Sequence, residues 1–251
     1  MAVSGGKDSL SCAHVLHTLG YPISVLHVDV GVSVCTNPRT RHVVERFCED
    51  RGIPFYFLSF SEYLGIDPDT FFHKARRPRC ATCGLLKRYV FNRFAREMGF
   101  TKLATGHCAD DVARYFLKTW VSGGNESFLW LSKLKPLTPS THPKLVARVR
   151  PLFLCLEKEN YAYTKYNGIV VAGCTMCSFF LRKDSWTDIL RKIEEIRPDF
   201  ALSLARTLAK GFPSKDEEGT ATLKECTVCG EPTEGSICTV CRIKARSVSQ
   251  V

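Results

Sequence analysis

The segment SGGKDS lies between a short apolar run, residues 1–3, and a stretch with the pattern of a helix. Two adjacent glycines let the backbone turn sharply, so that its N–H groups can point at an anion. The helix N-terminus, the lysine and the serine hydroxyls add positive charge and hydrogen-bond donors. The segment therefore predicts a phosphate-binding loop, although it differs from the G-x-x-x-x-G-K-[ST] loop of kinases and GTPases. The loop comprises Ser4, Gly5, Gly6, Lys7, Asp8 and Ser9.

Strand-like and helix-like segments alternate from this loop onward, as far as about residue 122. Strands are predicted at 1–3, 23–30, 55–60 and 102–105, and helices at 9–19, 41–51, 84–98 and 110–121. This alternation predicts an α/β fold with a doubly wound parallel sheet, whose ligands bind at the carboxyl ends of the strands. Residues 122–151 are predicted to be irregular. Beyond them we expect helices at 157–166 and 184–210, a short strand at 169–172 and a linker at 211–219.

Composition limits the class of protein. The chain has 251 residues, 45% of them hydrophobic, which excludes wholesale disorder. Its 35 Lys+Arg against 25 Asp+Glu give a formal charge of +10, which favours a polyanionic partner. No run approaches the roughly 18 apolar residues of a membrane span, and the N-terminus lacks the features of a signal peptide. We therefore expect a cytoplasmic protein with no membrane partner.

The cysteines form the most unusual feature of the composition. Of the 13, eight fall in four C-x-x-C pairs: Cys80/Cys83, Cys174/Cys177, Cys226/Cys229 and Cys238/Cys241. In a reducing compartment such thiols are metal ligands or reactive groups. Cys80, Cys83 and Lys87 would share one helix face if the helix begins by Cys80. Thiolates from the two separated pairs suit an iron–sulfur cluster or zinc, and the alternative is two sets of buried structural thiols.

The last two pairs give the strongest metal signal. Two C-x-x-C knuckles, Cys226/Cys229 and Cys238/Cys241, are eight residues apart and can surround one tetrahedral Zn²⁺. The segment is too small to fold without such a staple. We predict two units, a catalytic domain at 1–211 and a C-terminal zinc ribbon at 220–251. The following basic residues are predicted either to contact phosphates of a partner or to form a solvated basic tail: Arg242, Lys244 and Arg246.

Acidic residues follow two of the predicted strands. Asp29 ends the second strand, at the edge where ligands of such a sheet bind. The sequence GHCADD, which begins at Gly106, follows the fourth strand and opens a helix. Asp110 and Asp111 could hold Mg²⁺ against nucleotide phosphates, and the alternative is that they cap the helix.

The loop resembles the SGGxDS loop of the PP-loop ATP pyrophosphatases, which adenylate a substrate and release pyrophosphate. Nearly the whole chain resembles the TtuA/Ncs-type tRNA 2-thiolation enzymes of that superfamily. Four segments carry the likeness in the same order as in the family: CATCGLLKRYVFNRFA (80–95), GHCADD, RVRPLFLCLEKENYAY (148–163) and GCTMCSFFLRKDSWTDILRKIEEIRPDF (173–200).

The resemblance implies an ATP-dependent sulfurtransferase that adenylates a uridine C2 oxygen in tRNA and replaces it with sulfur, giving 2-thiouridine. It implies ATP at the phosphate loop, with Asp29 and Gly106 nearby, and a [4Fe-4S] cluster on Cys80, Cys83 and Cys174. Lys87, Asp111 and Cys174 match catalytic positions. The implied sulfur donor is a ubiquitin-like carrier protein or sulfide, and a homodimer is plausible for the family.

The sequence departs from the family pattern in three places. Cys177 is an additional thiol, for which we consider a fourth cluster ligand, a persulfide carrier or a bystander, and Cys108 replaces the usual Asn. The zinc module that precedes the loop in the family is expected to be absent. This last departure keeps an alternative open, a non-catalytic or differently specialised PP-loop zinc protein that binds tRNA.

Overall fold

The computed structural model describes residues 1–31, 38–123, 131, 134–172, 185–211 and 223–248. The elements follow in the order α1 (Lys7–Thr18), β1 (Val25–Asp29), α2 (Pro38–Glu49), β2 (Phe55–Ser59), α3 (Phe60–Leu64), α4 (Pro68–Lys74), α5 (Arg79–Glu97), β3 (Lys102–Ala104), α6 (Ala109–Ser122), β4 (Leu137–Thr138), β5 (Ala147–Val149), α7 (Glu157–Tyr166), α8 (Ser185–Ile196), α9 (Phe200–Lys210), β6 (Lys224–Glu225), β7 (Pro232–Thr233) and α10 (Thr239–Val248). Strands and helices alternate, which confirms the predicted α/β class.

The sheet is assembled around the first residues of the chain. β1 and β2 are parallel, β3 and β5 are parallel, and β4 runs antiparallel to β5. Ala2 forms parallel bridges to both Leu26 of β1 and Thr105 after β3, so it joins the two halves. The spatial order is β2, β1, the N-terminal segment, β3, β5 and β4. The phosphate loop therefore emerges from the middle of the sheet, where the winding direction reverses and ligands bind in such folds.

Apolar residues from both sides of the sheet form the core. Leu10 of α1, Val25 of β1 and Val44 of α2 belong to one buried cluster. A second cluster includes Val112 of α6 and Leu208 of α9. These helices cover the strands, as a mostly parallel sheet requires.

The structure corrects several predicted elements. α5 begins at Arg79 rather than at 84, because Gly84 lies inside the helix and does not start it. The region 122–151, predicted to be irregular, contains β4 and β5, strands too short to give a period-two pattern. Residues 169–172 are not a strand. The Ile169 N–H donates to the Thr164 carbonyl (2.9 Å) and the Ala172 N–H to the Gly5 carbonyl (3.0 Å), which does not make a ladder with one neighbouring strand. The predicted linker lies almost wholly outside the described residues.

The C-terminal cysteine segment packs on α4 and α5. Cys226, Cys238 and Cys241 share a buried cluster with Phe71 of α4 and Leu86 of α5. This sharing agrees with the expectation that the segment cannot form a useful core alone. In the part of the chain that the structure describes, no helix combines the length and apolar character needed to cross a membrane.

Candidate active site

The phosphate loop is preformed by its glycines and by its own hydrogen bonds. Gly5 has φ +83°, in the left-handed region, and a Cβ there would lie 2.7 Å from Thr40 Cγ2. Gly6 is extended and precedes α1, whose N-terminus faces the loop. The Ser9 hydroxyl donates to the Gly6 carbonyl (3.0 Å) and accepts from the Ser4 N–H (3.2 Å). The six predicted loop residues thus lie in one compact turn at a helix N-terminus.

Lys7 points from this loop to a carboxylate far away in sequence. Its Nζ donates to Glu157 Oε1 (2.6 Å) and to Asp8 Oδ2 (3.0 Å). Burial lowers the pKa of Lys7, but the bonds to Glu157 and Asp8 outweigh burial and raise it. The ammonium therefore stays charged at neutral pH. Glu157 is the first residue of α7, and its backbone N–H donates to Asp110 Oδ2 (2.7 Å).

The turn after β3 is packed directly against the phosphate loop. A Cβ on Gly106 would lie 2.7 Å from the Asp8 carbonyl oxygen and 2.8 Å from Ser9 Cα. These contacts involve backbone atoms, which cannot move as a flexible side chain can. Only glycine fits here, so the loop and this turn form one rigid wall of the site.

The two aspartates of GHCADD have defined partners. Asp111 accepts from the Cys108 N–H (3.2 Å) and from Arg114 Nη2 (2.6 Å), so it caps α6 as one of the two interpretations predicted. Burial raises the pKa of Asp111, but the charge of Arg114, the nearby His107 and the hydrogen bonds from Arg114 and the Cys108 N–H outweigh burial and lower the pKa. Burial raises the pKa of Asp110. Asp111 is thus held as a carboxylate.

Sequence reasoning missed Glu157, Asn160 and Arg114. Asn160 Nδ2 donates to Asp8 Oδ1 (2.9 Å), and Arg114 lies 3.5 Å from the Glu157 carboxylate. Glu157 and Asn160 are nearly one turn apart, which places both on the side of α7 that faces the loop. Both residues lie in the segment 148–163 that carries the family resemblance, but nothing in the sequence shows that α7 packs against α1. The i, i+3 spacing of Asp111 and Arg114 was a usable signal.

The face of α5 with Cys80, Cys83 and Lys87 is as predicted, because the helix begins before Cys80. Cys80 is exposed, and Cys83 and Lys87 are half-buried. His27 of β1 donates through Nδ1 to the carbonyl of Val3, just before the loop (2.8 Å). Burial chiefly lowers the pKa of His27, and the nearby Lys87 charge lowers it further.

Other predicted site residues fall at the edge of this arrangement or outside the described part. Asp29 ends β1, and its Oδ1 accepts from the Gly31 N–H (2.9 Å). Cys174 and Cys177 lie outside the described residues, as does Cys35. Cys108 is buried, and its burial and the nearby Asp111 raise the pKa of its thiol. The thiol therefore stays protonated, which suits its interpretation as a small filler in the place of Asn.

The four C-terminal cysteines meet at one point. Their Sγ atoms lie within 4.8 Å of one another, and three of the residues are buried. The Cys238 N–H points at Cys226 Sγ (3.2 Å) and the Cys241 N–H at Cys238 Sγ (3.4 Å). Such N–H donors stabilise thiolates. Four convergent sulfurs with this support could hold a metal ion, as the spacing predicts.

Comparison with known proteins identifies the family. No protein-family model matches the chain. It is 34% identical over 245 residues to tRNA-5-methyluridine(54) 2-sulfurtransferase of Pyrococcus horikoshii, covering 96% of this chain and 76% of the relative. It is 29% identical to cytoplasmic tRNA 2-thiolation protein 1 of Drosophila melanogaster, covering 96% and 71%.

A solved structure agrees with the sequence comparison. The U34-tRNA thiolase NcsA of Methanococcus maripaludis, determined with its [4Fe-4S] cluster, superposes with a TM-score of 0.74 at 25% identity, covering 98% of this chain and 79% of that one. The likeness extends over nearly all of the chain. The chain belongs to the TtuA/Ncs family of PP-loop tRNA 2-sulfurtransferases.

Proposed function

We propose that the chain is an ATP-dependent tRNA sulfurtransferase that converts a uridine to 2-thiouridine. One observation carries the proposal: in a member of this family, the phosphate loop is packed directly on the Gly106 turn that leads into Asp111, and we propose that the Lys87 face of α5 lies beside this edge of the sheet. An activating nucleotide and a sulfur-delivering group have to meet at one base, and this edge offers places for both.

The first step is adenylation of the base. The loop N–H groups and Lys7 hold the ATP phosphates, Asp29 lies towards the adenosine, and Asp111 holds Mg²⁺ against the phosphates. The uridine C2 oxygen attacks the α-phosphorus, a new O–P bond forms, and pyrophosphate leaves with the electron pair. An oxygen that was a poor leaving group becomes part of a good one, AMP.

The second step replaces that oxygen with sulfur. A sulfide attacks C2, and the C–O bond breaks so that AMP leaves with its electron pair. Lys87 stabilises the negative charge that develops at the oxygen. Cys80 and Cys83 lie one turn apart at the start of α5, an arrangement that suits two ligands of a [4Fe-4S] cluster, and Cys174 is the proposed third. When bound, the cluster would supply an iron position that presents the sulfur.

The C-terminal segment is proposed as a zinc ribbon that docks tRNA. Four convergent thiols fit the tetrahedral preference of Zn²⁺. We keep the division into a catalytic unit at 1–211 and a ribbon at 220–251. The ribbon is packed on α5, and we propose that Arg242, Lys244 and Arg246 face the RNA.

The remaining assignments are drawn from the family. We propose a ubiquitin-like carrier thiocarboxylate or free sulfide as the sulfur donor, a cytoplasmic location, as in the name of the Drosophila relative, and a homodimer. The non-catalytic alternative is not favoured, because the relatives are named as sulfurtransferases and the chain keeps Lys7, Lys87 and Asp111.

Nucleoside analysis of tRNA tests the proposal. A strain that lacks the gene should lose one 2-thiouridine-type nucleoside, and the purified, anaerobically prepared chain should restore it to that tRNA with ATP and sulfide. Digestion to oligonucleotides identifies the uridine that is modified. An unchanged thionucleoside content in the deletion strain would contradict the proposed activity.

Glu157→Gln is expected to tighten ATP binding by about threefold to fivefold, as befits one half-exposed ion pair. Glu157 competes with phosphate for Lys7, and the amide removes that competition and a nearby negative charge. The bond to Asp110 is kept, because it comes from the backbone N–H. ATP Kd measured by calorimetry checks this, with Glu195→Gln on α8 as the control. Weaker ATP binding would mean that Glu157 serves to orient Lys7 instead.

Gly106→Ala is expected to weaken ATP binding at least tenfold and to cost about 1–3 kcal/mol of folding stability. The added methyl group would overlap the Asp8 carbonyl, so the loop has to shift. Gly235→Ala is the control, because its Cβ would meet open space. Chemical denaturation and ATP titration check both effects. Wild-type values for both quantities in Gly106→Ala would refute the rigid contact.

A further inference from the structure

A cavity of about 510 Å³ lies between the C-terminal cysteine segment and the helices α3 and α5. Its walls include Tyr63 of α3 and Tyr89 of α5, and apolar residues of the cysteine knuckles, Val228 and Ile237, complete it. Val228 is 67% exposed, so it offers apolar surface at the mouth of the cavity. The volume is in the range of pockets that hold small organic molecules.

The rim of this cavity is cationic. Arg93, Arg242, Lys244 and Arg246 line it, and of the described residues no acidic side chain does. Glu97, which lies outside the lining, accepts from Arg93 Nε (2.8 Å). Lys244 donates to the neutral Leu64 carbonyl (2.7 Å), and Arg242 to the Thr239 hydroxyl (3.1 Å). In the described structure, therefore, no carboxylate neutralises the positive charge of α10. A Zn(Cys)₄ group would add two negative charges nearby, fewer than the three positive charges of Arg242, Lys244 and Arg246.

The ring of Tyr63 is held in place. The Tyr63 hydroxyl donates to Glu97, and the Arg93 guanidinium lies 5.5 Å from the Tyr63 ring centroid. Fixed aromatic rings lose little entropy when a planar group stacks on them. Aromatic walls with a cationic rim are what proteins use for unpaired nucleotides, whose base stacks while the phosphate meets arginine or lysine.

The cavity is not the place where the reacting uridine binds. Tyr89 follows Lys87 by two residues, about 200° around the helix, and Arg93 lies one turn further on the Tyr89 side. One face of α5 therefore serves sulfur chemistry and the other face lines this cavity. A nucleotide held here belongs to a different part of the same RNA.

We propose that this cavity binds an unpaired nucleotide of the substrate tRNA, with the base against Tyr63 and Tyr89 and its phosphate at Arg242 and Arg246. The proposal rests on the proposed function, because it takes tRNA as the ligand. It adds a second binding point that sets tRNA affinity while leaving the chemical step unchanged.

The test measures tRNA binding by the full chain in three forms: the wild type, the double variant Arg242→Glu/Arg246→Glu, and the single variant Tyr63→Leu. The control pair, Lys192→Glu with Arg206→Glu, makes the same charge change on exposed sites of α8 and α9. We expect the double variant and Tyr63→Leu each to raise the Kd for tRNA at least tenfold at fixed salt. The loss of one base-stacking contact alone raises a Kd by about fivefold to 150-fold. The control pair should change it less than threefold. Ultraviolet cross-linking should join tRNA to a peptide that contains Tyr63 or Tyr89.

Three results would overturn the proposal: rim variants that match the control pair, cross-links that map only elsewhere, or weaker binding of a protein sulfur donor with unchanged tRNA affinity. Failure of the proposed function is distinguishable. A wild-type chain that binds tRNA through this cavity yet makes no thiouridine would contradict the activity and support the cavity.

Discussion

Lys87→Met is expected to lower the single-turnover rate of tRNA thiolation by about 10²- to 10³-fold, which corresponds to roughly 2.7–4 kcal/mol of transition-state stabilisation. Lys87 shares its helix face with Cys80 and Cys83, and among the described residues no carboxylate pairs with its ammonium. It is thus available to stabilise charge at the departing oxygen. ATP Kd should stay within about twofold, because the phosphates are held by the loop and Lys7 rather than by α5.

A matched variant separates this effect from general loss of charge. Lys102 lies at the amino end of β3, on the opposite edge of the sheet from the site, and is exposed. Lys102→Met should thiolate tRNA at the wild-type rate. If Lys87→Met also keeps its rate, or if it loses ATP binding instead, the assignment of Lys87 to the sulfur step is wrong.

Cys238→Ser is expected to release the proposed zinc and to lower the melting temperature by more than about 10 °C, because structural zinc sites contribute folding free energy of order 10 kcal/mol. The loss should not stay within the last 30 residues or so. Cys238 shares a buried cluster with Phe71 and Leu86, and the buried Glu231 accepts from Arg96 on α5. Without the metal, the far half of α5 loses its covering.

Thermal denaturation together with metal analysis checks this prediction. Cys155→Ser is the control. Cys155 is half-buried, lies far from the four-cysteine group in sequence and packs against a different buried cluster. The control should retain zinc and melt within a few degrees of the wild type. A Cys238→Ser protein that has lost zinc but melts like the control would show that α5 does not depend on the segment.

Local features were readable from the sequence, and long-range ones were not. The loop at Ser4–Ser9 and the four C-terminal cysteines are contiguous motifs whose spacing alone implies geometry. The face of α5 depended only on where the helix begins. The Lys7–Glu157 pair, by contrast, depends on how α7 packs on α1, which no periodicity reports. β5 was missed because three residues with an arginine in the middle carry no strand pattern.

The central position of the sheet is occupied by a very short segment, and this has a consequence for folding. β1 and β2 pair between neighbours in the chain, whereas Ala2 bridges to Thr105, far away in sequence. Loop-closure entropy makes such distant pairings slow. The loop at Ser4 and its contact with Gly106 can form only once the two half-sheets have joined. We therefore expect the ability to bind ATP to arise late in folding, after the two half-sheets have joined.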